Sequence, residues 1–258
     1  MKKTLIEKTS DNLVYAFLKN KLISPIPKKF SQKLVNAQKF RKLCESKIKE
    51  PIVGFKAAGT GIAVMKKFRE KEPFYTSIYK RNVLKNGKKV KINKATLGIE
   101  LEVGFQIKKS FFLLKKSIKT KNLSKYITHI APCIEVVGYR QRKKGIKSFG
   151  DLCSDFGANV KFLIGSKKKY KNIKLNNLKT NLSNKKNNYD VDGNTNTVYI
   201  NPLNSLKFVL KKLLKDKIKL NQNFWVFTGS TVGVVPILNK GTYLGKIDKL
   251  GKVSCIII

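Results

Sequence analysis

The sequence is poor in arginine, acidic residues and histidine. Of its 258 residues, 56 are lysine or arginine, 15 are aspartate or glutamate, and one is histidine. The resulting formal net charge of +41 would ordinarily suggest nucleic acid or an anionic membrane surface as a partner. Only five basic residues are arginine, however, and recognition surfaces favour arginine for its bidentate fork. We interpret the diffuse lysine excess as compositional drift, so nucleic acid is not expected to bind.

Paired cysteines and long apolar runs are also missing. The four cysteines are Cys44, Cys133, Cys153 and Cys255. They show no CxxC spacing, which argues against a cysteine-ligated zinc site and favours reduced thiols in a cytoplasmic protein. No apolar run approaches the length of a membrane span. A secretory signal is not expected, because Asp11 and Asn12 interrupt the first apolar stretch.

Three of the scarce acidic residues lie inside apolar segments. In GIELEVGFQI, residues 98–107, apolar residues alternate with Glu100 and Glu102. This period of two predicts a strand with both carboxylates on one face. Glu135 lies in a similar run, CIEVVG, residues 133–138. Three carboxylates on apolar strands form an all-oxygen site of the kind that suits Mg²⁺ or Mn²⁺.

A simpler interpretation exists for the first two glutamates. A pair of alternating glutamates on a strand is typical of the solvent face of an edge strand. The composition argues against that interpretation here, because surface positions in this chain are overwhelmingly lysine. Two like charges between apolar residues are also unfavourable unless a cation or a shared proton compensates them.

The segments before the acidic strand predict a packing element and a second polar position. Residues 1–50 are predicted to form a helical hairpin, whose helices Ser10 or Asp11 and Ser31 could cap. Residues 52–55 predict a short buried strand that leads to Lys56 and the small residues AAGTG. A lysine at the end of a buried strand is either a snorkelling surface residue or a functional one. Residues 138–147 are expected to form an exposed loop.

Six segments, in this order, resemble the 2-keto-4-pentenoate hydratase family, part of the fumarylacetoacetase-like superfamily that also contains 2-oxo-hex-3-enedioate decarboxylases. They are VGFKAAGT (53–60), GIELEVGF (98–105), PCIEVVGYR (132–140), DFGANVKFLIG (155–165), NPLNSL (201–206) and FTGSTVG (227–233). No single segment is specific, whereas the ordered set is.

The resemblance implies a fold and an organisation. The fold is of the α+β class, with a mixed, rolled β-sheet that encloses the site and helices packed outside it. Residues 1–50 would be an N-terminal helical region and residues 51–258 a fumarylacetoacetase-like catalytic domain. Homo-oligomers are common in the family, so a homo-oligomer is expected.

The resemblance also implies roles for individual residues. The implied ligands of Mg²⁺ or Mn²⁺ are Glu100, Glu102 and Glu135. The implied catalytic residues are Lys56 and Asp155, and the implied substrate-binding residues are Asn204, Thr228, Gly229 and Ser230. The implied activity is that of a metal-dependent lyase, a hydratase or a decarboxylase. It would act on a small anionic 2-oxo acid or 2-hydroxydienoate through a metal-stabilised dienolate.

Two other functions are compatible with the same residues. A catalytically impaired relative could bind an acidic partner through its basic surface. Carbon–carbon hydrolysis, as in fumarylacetoacetases, needs a histidine or acid that activates water. The only histidine, His129, is expected on a helix with a structural role, which disfavours hydrolysis.

The chain departs from the family pattern at three positions. Lys80 stands where a carboxylate is expected, Phe156 where asparagine is frequent, and Ile200 where glycine usually precedes the NPLN element. The three glutamates are intact while these neighbouring positions differ. Metal binding is therefore better supported by the sequence than turnover of the usual kind.

Overall fold

A computed structural model describes residues 3–19, 21–114, 120–142, 145–184, 186 and 189–258. The α-helices within these residues are α1 (Leu5–Lys19), α2 (Lys28–Ser31), α3 (Leu34–Ser46), α4 (Ile62–Phe68), α5 (Phe149–Ser154) and α6 (Pro202–Lys215). Across the described part of the chain, no helix combines the length and apolar character needed to cross a membrane.

The strands form two sheets. Their bounds are β1 (Ile52–Ala58), β2 (Phe74–Tyr79), β3 (Val83–Lys85), β4 (Lys89–Val90), β5 (Thr96–Ile107), β6 (Ile127–Gly138), β7 (Asn159–Ile164), β8 (Lys168–Lys169), β9 (Lys179–Asn184), β10 (Tyr189–Asn194), β11 (Phe224–Ser230), β12 (Val235–Pro236), β13 (Gly241–Ile247) and β14 (Gly251–Ile257). Within the described residues, the larger sheet has the order β2-β1-β11-β5-β6-β7-β3, with β12 paired to β5 and β8 to β6. The smaller sheet has the order β10-β9-β13-β14-β4.

The larger sheet is mixed and curls around its inner face, and helices pack outside it. Strand β1 is parallel to β11, whereas β11, β5, β6 and β7 follow one another antiparallel. The α+β class and the rolled mixed sheet expected from the resemblance are therefore confirmed.

The predicted alternation along β5 is confirmed. Its apolar residues Ile99, Leu101, Val103, Phe105 and Ile107 are all fully buried. They share one hydrophobic core with residues of the smaller sheet such as Tyr243 and Val253. Gly245 of β13 lies so close to Leu101 that a Cβ there would approach the leucine side chain to 2.5 Å. One face of β5 thus packs on the smaller sheet, and the glutamates lie on the other face.

The first helix starts earlier than the sequence suggested. Ser10 and Asp11 lie inside α1, so neither caps it. The Thr4 backbone N–H donates to Glu7 Oε2 at 2.7 Å, and the Glu7 N–H donates to Thr4 Oγ1 at 3.4 Å. This reciprocal pair is a capping box, and it fixes the helix start one turn before the first buried residues.

The predicted cap of the second long helix is also wrong, although the helical hairpin itself is present. Ser31 ends the short α2, and the residue before α3 is Lys33, which offers no side-chain cap. The Ser31 hydroxyl instead donates to the Ile26 and Pro27 carbonyl oxygens. The hairpin packs through Phe17 against the aromatic ring of Phe156.

The predicted exposed loop after β6 is wrong for its first residues and confirmed at Arg142, Gly145 and Lys147, which are exposed, whereas the predicted helix at His129 is wrong. Tyr139, Arg140 and Gln141 are buried, because backbone pairing with Ile23 ties this segment to the N-terminal region. His129 lies within strand β6, opposite Gln106 of β5. Residues 143 and 144 of the predicted loop lie outside the described residues.

Ile200 adopts a backbone conformation that favours glycine, the residue that the resemblance led us to expect at this position. Its φ is +71°, in the left-handed region, where a β-branched residue is strained. Its side chain is 64% exposed and so gains little from packing.

Replacement of Ile200 by glycine should therefore stabilise the protein by about 1 kcal/mol, the left-handed penalty less the entropic cost of glycine. Urea denaturation measures the difference. Ile200→Ala is the control, because it removes the β-branch but keeps the Cβ atom, and it should gain less stability than Ile200→Gly. Equal stability of Ile200→Gly and the parent would contradict the assignment of strain.

Candidate active site

Four adjacent strands of the larger sheet bring the polar residues together on its inner face. Strand β5 carries Glu100 and Glu102, and β6 carries Glu135, which is the cross-strand partner of Glu100. On the other side of β5, β11 places Ser230 opposite Glu102. Beyond β11 lies β1, which carries Lys56. The sheet order, and not proximity in sequence, assembles this cluster.

The three carboxylates lie within the reach of one ion. An oxygen atom from each of Glu100, Glu102 and Glu135 can be chosen so that all lie within 4.8 Å of one another. Lys56 Nζ donates to Glu135 Oε1 at 2.5 Å and to the Gly157 carbonyl oxygen at 2.9 Å. The Gly229 backbone N–H donates to Glu102 Oε2 at 2.8 Å. These hydrogen bonds orient two of the carboxylates.

Burial and mutual repulsion shift the pKa values of these groups. Burial raises the pKa of Glu102 to about 7, and the charge of Glu100 adds to the increase. The pKa of Glu135 is raised well above its ordinary value, chiefly by burial, and that of Glu100 is raised for the same reason. The pKa of Lys56 is raised although burial opposes it, because three carboxylates favour its charged form. Full ionisation of the three carboxyl groups would give more buried negative charge than one ammonium can neutralise, so without a cation the cluster tends to retain protons.

Gly229 is required at its position by both geometry and space. Its φ of +107° lies outside the range that side-chain-bearing residues favour. A Cβ atom there would lie 1.9 Å from Thr60 Oγ1. Because the Thr60 side chain lies this close, any larger residue would displace the Gly229 N–H from Glu102.

A cavity of about 750 Å³ opens onto the cluster. Lys56, Glu100, Gly229 and Ser230 line the end next to the carboxylates. Glu102 and Glu135 are fully buried behind them. A small molecule in the cavity would thus meet the half-buried Glu100 and the lysine first, with the other two acids beneath.

The residues fit a hard divalent cation. Glu102 Oε1 and Glu135 Oε2 are buried and have no hydrogen-bond partner among the described residues. Leaving charged acceptors in that state is costly, and carboxylate oxygens are the ligands that Mg²⁺ and Mn²⁺ prefer. Glu100, Glu102 and Glu135 are therefore the residues that could hold such an ion.

The other predicted site residues lie at different distances from the cavity. Thr228 is buried, and its hydroxyl donates to the Val103 carbonyl, which holds β11 to β5. Asn204 is exposed and donates to the Tyr199 carbonyl outside the cavity lining. Lys80 is exposed just after β2, also outside the lining. It therefore does not replace an acid within the cavity.

Asp155 is fully buried but does not line the cavity. Its Oδ1 accepts from the Arg140 guanidinium at 2.7 Å, and its Oδ2 accepts from the Arg140 backbone N–H at 2.6 Å. Directly after it, Phe156, Gly157 and Ala158 all have positive φ values. This tight segment delivers the Gly157 carbonyl to Lys56.

Sequence reasoning missed Arg140 and the Gly157 carbonyl. The glycine in DFGA was a usable signal, because left-handed backbone favours glycine. No local pattern identifies Arg140 as the partner of Asp155.

Solved structures similar to this chain include a decarboxylase and a hydrolase. A full-length similarity is to 4-oxalocrotonate decarboxylase from Pseudomonas putida complexed with magnesium and adipate, at a TM-score of 0.83, 19% identity and 100% coverage of both chains. The same enzyme complexed with calcium and acetate gives 0.81 and 20%, again with both chains fully covered. Fumarylpyruvate hydrolase from Pseudomonas aeruginosa, in complex with Mn²⁺ and pyruvate, gives 0.58 and 14%, with 82% of this chain and 92% of that chain covered.

Comparisons of the sequence with protein-family models and with curated proteins find no match. The structural similarity establishes that the chain has the fumarylacetoacetase-like fold.

The raised pKa of Glu102 predicts a pH-dependent stability. Between Glu's ordinary value of 4.5 and about 7, the folded protein binds a proton that the unfolded chain has lost. Stability without added metal should therefore fall as pH rises through this range. In Glu102→Gln the fall should be smaller by roughly 3 kcal/mol.

Urea denaturation at pH 4.5 and pH 7.5 in the presence of a chelator measures this difference. Glu72→Gln removes an exposed carboxylate by the same chemical change and should behave like the parent. Identical pH dependence of Glu102→Gln and the parent would contradict the prediction.

Proposed function

We propose that this chain, with its fumarylacetoacetase-like fold, is a divalent-metal-dependent lyase that acts on a 2-oxo acid or the corresponding 2-hydroxydienoate. The observation that carries the proposal is the surplus of buried carboxylate oxygens at the floor of the cavity. Two of them, on Glu102 and Glu135, have no partner among the described residues. The magnesium, calcium and Mn²⁺ complexes of similarly folded proteins, which also hold small acids, support it.

We propose Glu100, Glu102 and Glu135 as the ligands of Mg²⁺ or Mn²⁺. A bound ion would supply Lewis-acid stabilisation of the negative charge that develops on the 2-oxo oxygen. The protein's own contribution is orientation. The Gly229 N–H fixes Glu102, and Lys56 fixes Glu135.

We propose Lys56 as the residue that positions the substrate carboxylate and moves a proton. It lines the cavity, is held between Glu135 and the Gly157 carbonyl, and is almost fully buried. The three carboxylates keep its pKa high. Neutralisation of their charge would leave burial as the main influence on its pKa and make the ammonium a better proton donor.

We propose that Asp155 acts through the backbone and not on the substrate. Its bidentate contact with Arg140 anchors the left-handed segment that presents the Gly157 carbonyl. Asp155 is in this view a positioning residue for Lys56. Ser230 and Gly229 border the reacting end of the cavity.

Removal of one carboxylate should abolish both metal binding and turnover. In Glu102→Gln we expect the affinity for Mn²⁺ to fall at least about 100-fold, with a comparable loss of turnover. Calorimetric titration with Mn²⁺ measures the first, and loss of the ultraviolet absorbance of a 2-hydroxydienoate measures the second. The exposed Glu72→Gln is the matched control. Parent-like behaviour of Glu102→Gln in both measurements would refute the metal site.

Removal of the buried lysine should separate turnover from metal binding. In Lys56→Met we expect turnover to fall about 100-fold or more. Mn²⁺ affinity should be unchanged or higher, because the ammonium no longer competes for Glu135. Lys67→Met, an exposed lysine on the same cavity, is the control. A parallel loss of Mn²⁺ affinity and turnover would show that Lys56 acts only by supporting the fold.

Water addition and loss of CO₂ would pass through the same type of dienolate, which forms when a proton leaves a 2-hydroxydienoate or when the C–C bond to the departing CO₂ breaks. A product assay separates them: a hydratase consumes a 2-hydroxydienoate without gas release, whereas a carboxy-lyase releases CO₂ from an unsaturated 2-oxo dioic acid. Both outcomes are compatible with the proposed residues.

A further inference from the structure

The cavity is larger than a short 2-oxo acid requires. Allowing the roughly 30 Å³ that a water molecule occupies for each heavy atom, an acid of ten heavy atoms fills about 300 Å³. The cavity measures about 750 Å³. The space beyond the carboxylate cluster therefore has room for a substantial further group.

Apolar side chains line that extra space. Three of the large apolar side chains that remain exposed in the described residues border this cavity, namely Val64, Leu97 and Val234. Half-buried apolar residues also line it, among them Leu22, Phe68 and Ile146. The remaining lining includes the polar side chains of Tyr139 and Gln141 and three exposed basic residues. In a chain whose surface is dominated by lysine, a group of exposed apolar residues at one cavity is informative.

A β-bulge turns Leu97 toward the cavity. Thr96 pairs with Gly138 and Gly98 with Val137, so two steps along β5 match one step along β6, and Leu97 is the extra residue. In a regular strand Leu97 and Glu100 would point to opposite faces. With the bulge, both line the same cavity. Three residues at about 3.3 Å each separate their Cα positions by about 10 Å.

We propose that the substrate is a 2-oxo acid with a long apolar tail, and that Leu97 is a specificity-determining residue that contacts this tail. The inference rests on the proposed function, because the carboxylate cluster must hold the acid end. An extended chain advances about 1.2 Å per bond, so a tail of about eight bonds reaches from the cluster to Leu97. The exposed basic residues of the lining, Lys67, Lys94 and Arg142, match the charge of the rest of the surface and do not indicate an acidic tail.

The test is a titration series on the full chain loaded with Mn²⁺, at a salt concentration high enough to screen the surface charge. The probes are pyruvate, 2-oxohexanoate, 2-oxodecanoate, whose tail has eight bonds beyond C2, and the hydroxyl-terminated analogue of 2-oxodecanoate. We expect affinity to rise about fourfold for each methylene that reaches the wall. The hydroxyl-terminated analogue should lose most of that gain.

The outcomes separate the two proposals. Pyruvate that binds without any dependence on Mn²⁺ would contradict the proposed function. Mn²⁺-dependent binding with equal affinities for pyruvate and 2-oxodecanoate would overturn the proposal of an apolar tail and leave the proposed function standing. Tighter binding of the hydroxyl-terminated analogue than of 2-oxodecanoate would also overturn the apolar tail and would indicate a polar far end.

A pair of variants tests whether Leu97 contacts the apolar tail. In Leu97→Gln we expect the affinity for 2-oxodecanoate to fall about tenfold and that for pyruvate to change less than twofold. Leu238→Gln makes the same change at an exposed leucine outside the cavity and should leave both unchanged. An equal loss for both acids in Leu97→Gln would overturn the role of Leu97. The titration series on the parent protein tests the apolar tail even if neither variant folds.

Discussion

The burial of three carboxylates next to one ammonium group is the constraint on which the rest of the structure depends. Glu100, Glu102 and Glu135 lie on neighbouring strands, and Lys56 can neutralise only part of their charge. Burying like charges is costly unless they have partners, and several elements of the fold therefore supply hydrogen bonds to them. The left-handed segment after Asp155 provides a carbonyl for Lys56, and Gly229 provides an N–H for Glu102. The remaining surplus of acceptor atoms favours a divalent cation.

The interior and the surface of this protein carry opposite charge. A chain with a formal charge of +41 has placed three of its 15 acidic residues on the inner face of one sheet. Lysine is tolerated where solvent screens it, whereas a lysine in place of any of these glutamates would leave buried cations facing Lys56. The basic surface raises the local concentration of small anions near the cavity, which suits an acid as the substrate.

Sequence reasoning succeeded where a local pattern determines the structure and failed where contacts between residues distant in sequence determine it. Strand β5 was predictable because its alternation of apolar and polar residues is local, and the sheet that buries its apolar face confirmed it. The buried segment at Arg140 was taken for an exposed loop, because its polar residues are satisfied by Asp155 and by backbone pairing with Ile23, partners distant in sequence. The helix start was misjudged because a capping box at Thr4 outweighed the apolar periodicity on which the prediction relied.

The sequence by itself determined that scarce acids sit in apolar strands, that both acids of β5 share a face, and that the ordered motifs resemble one superfamily. These conclusions need only a period of two, the composition and the order of short segments. Only the tertiary structure decided that Lys56 meets Glu135, that the Gly157 carbonyl holds the lysine, and that a bulge turns Leu97 into the cavity. Those facts depend on strand order and register, which are set by contacts between segments far apart in the chain.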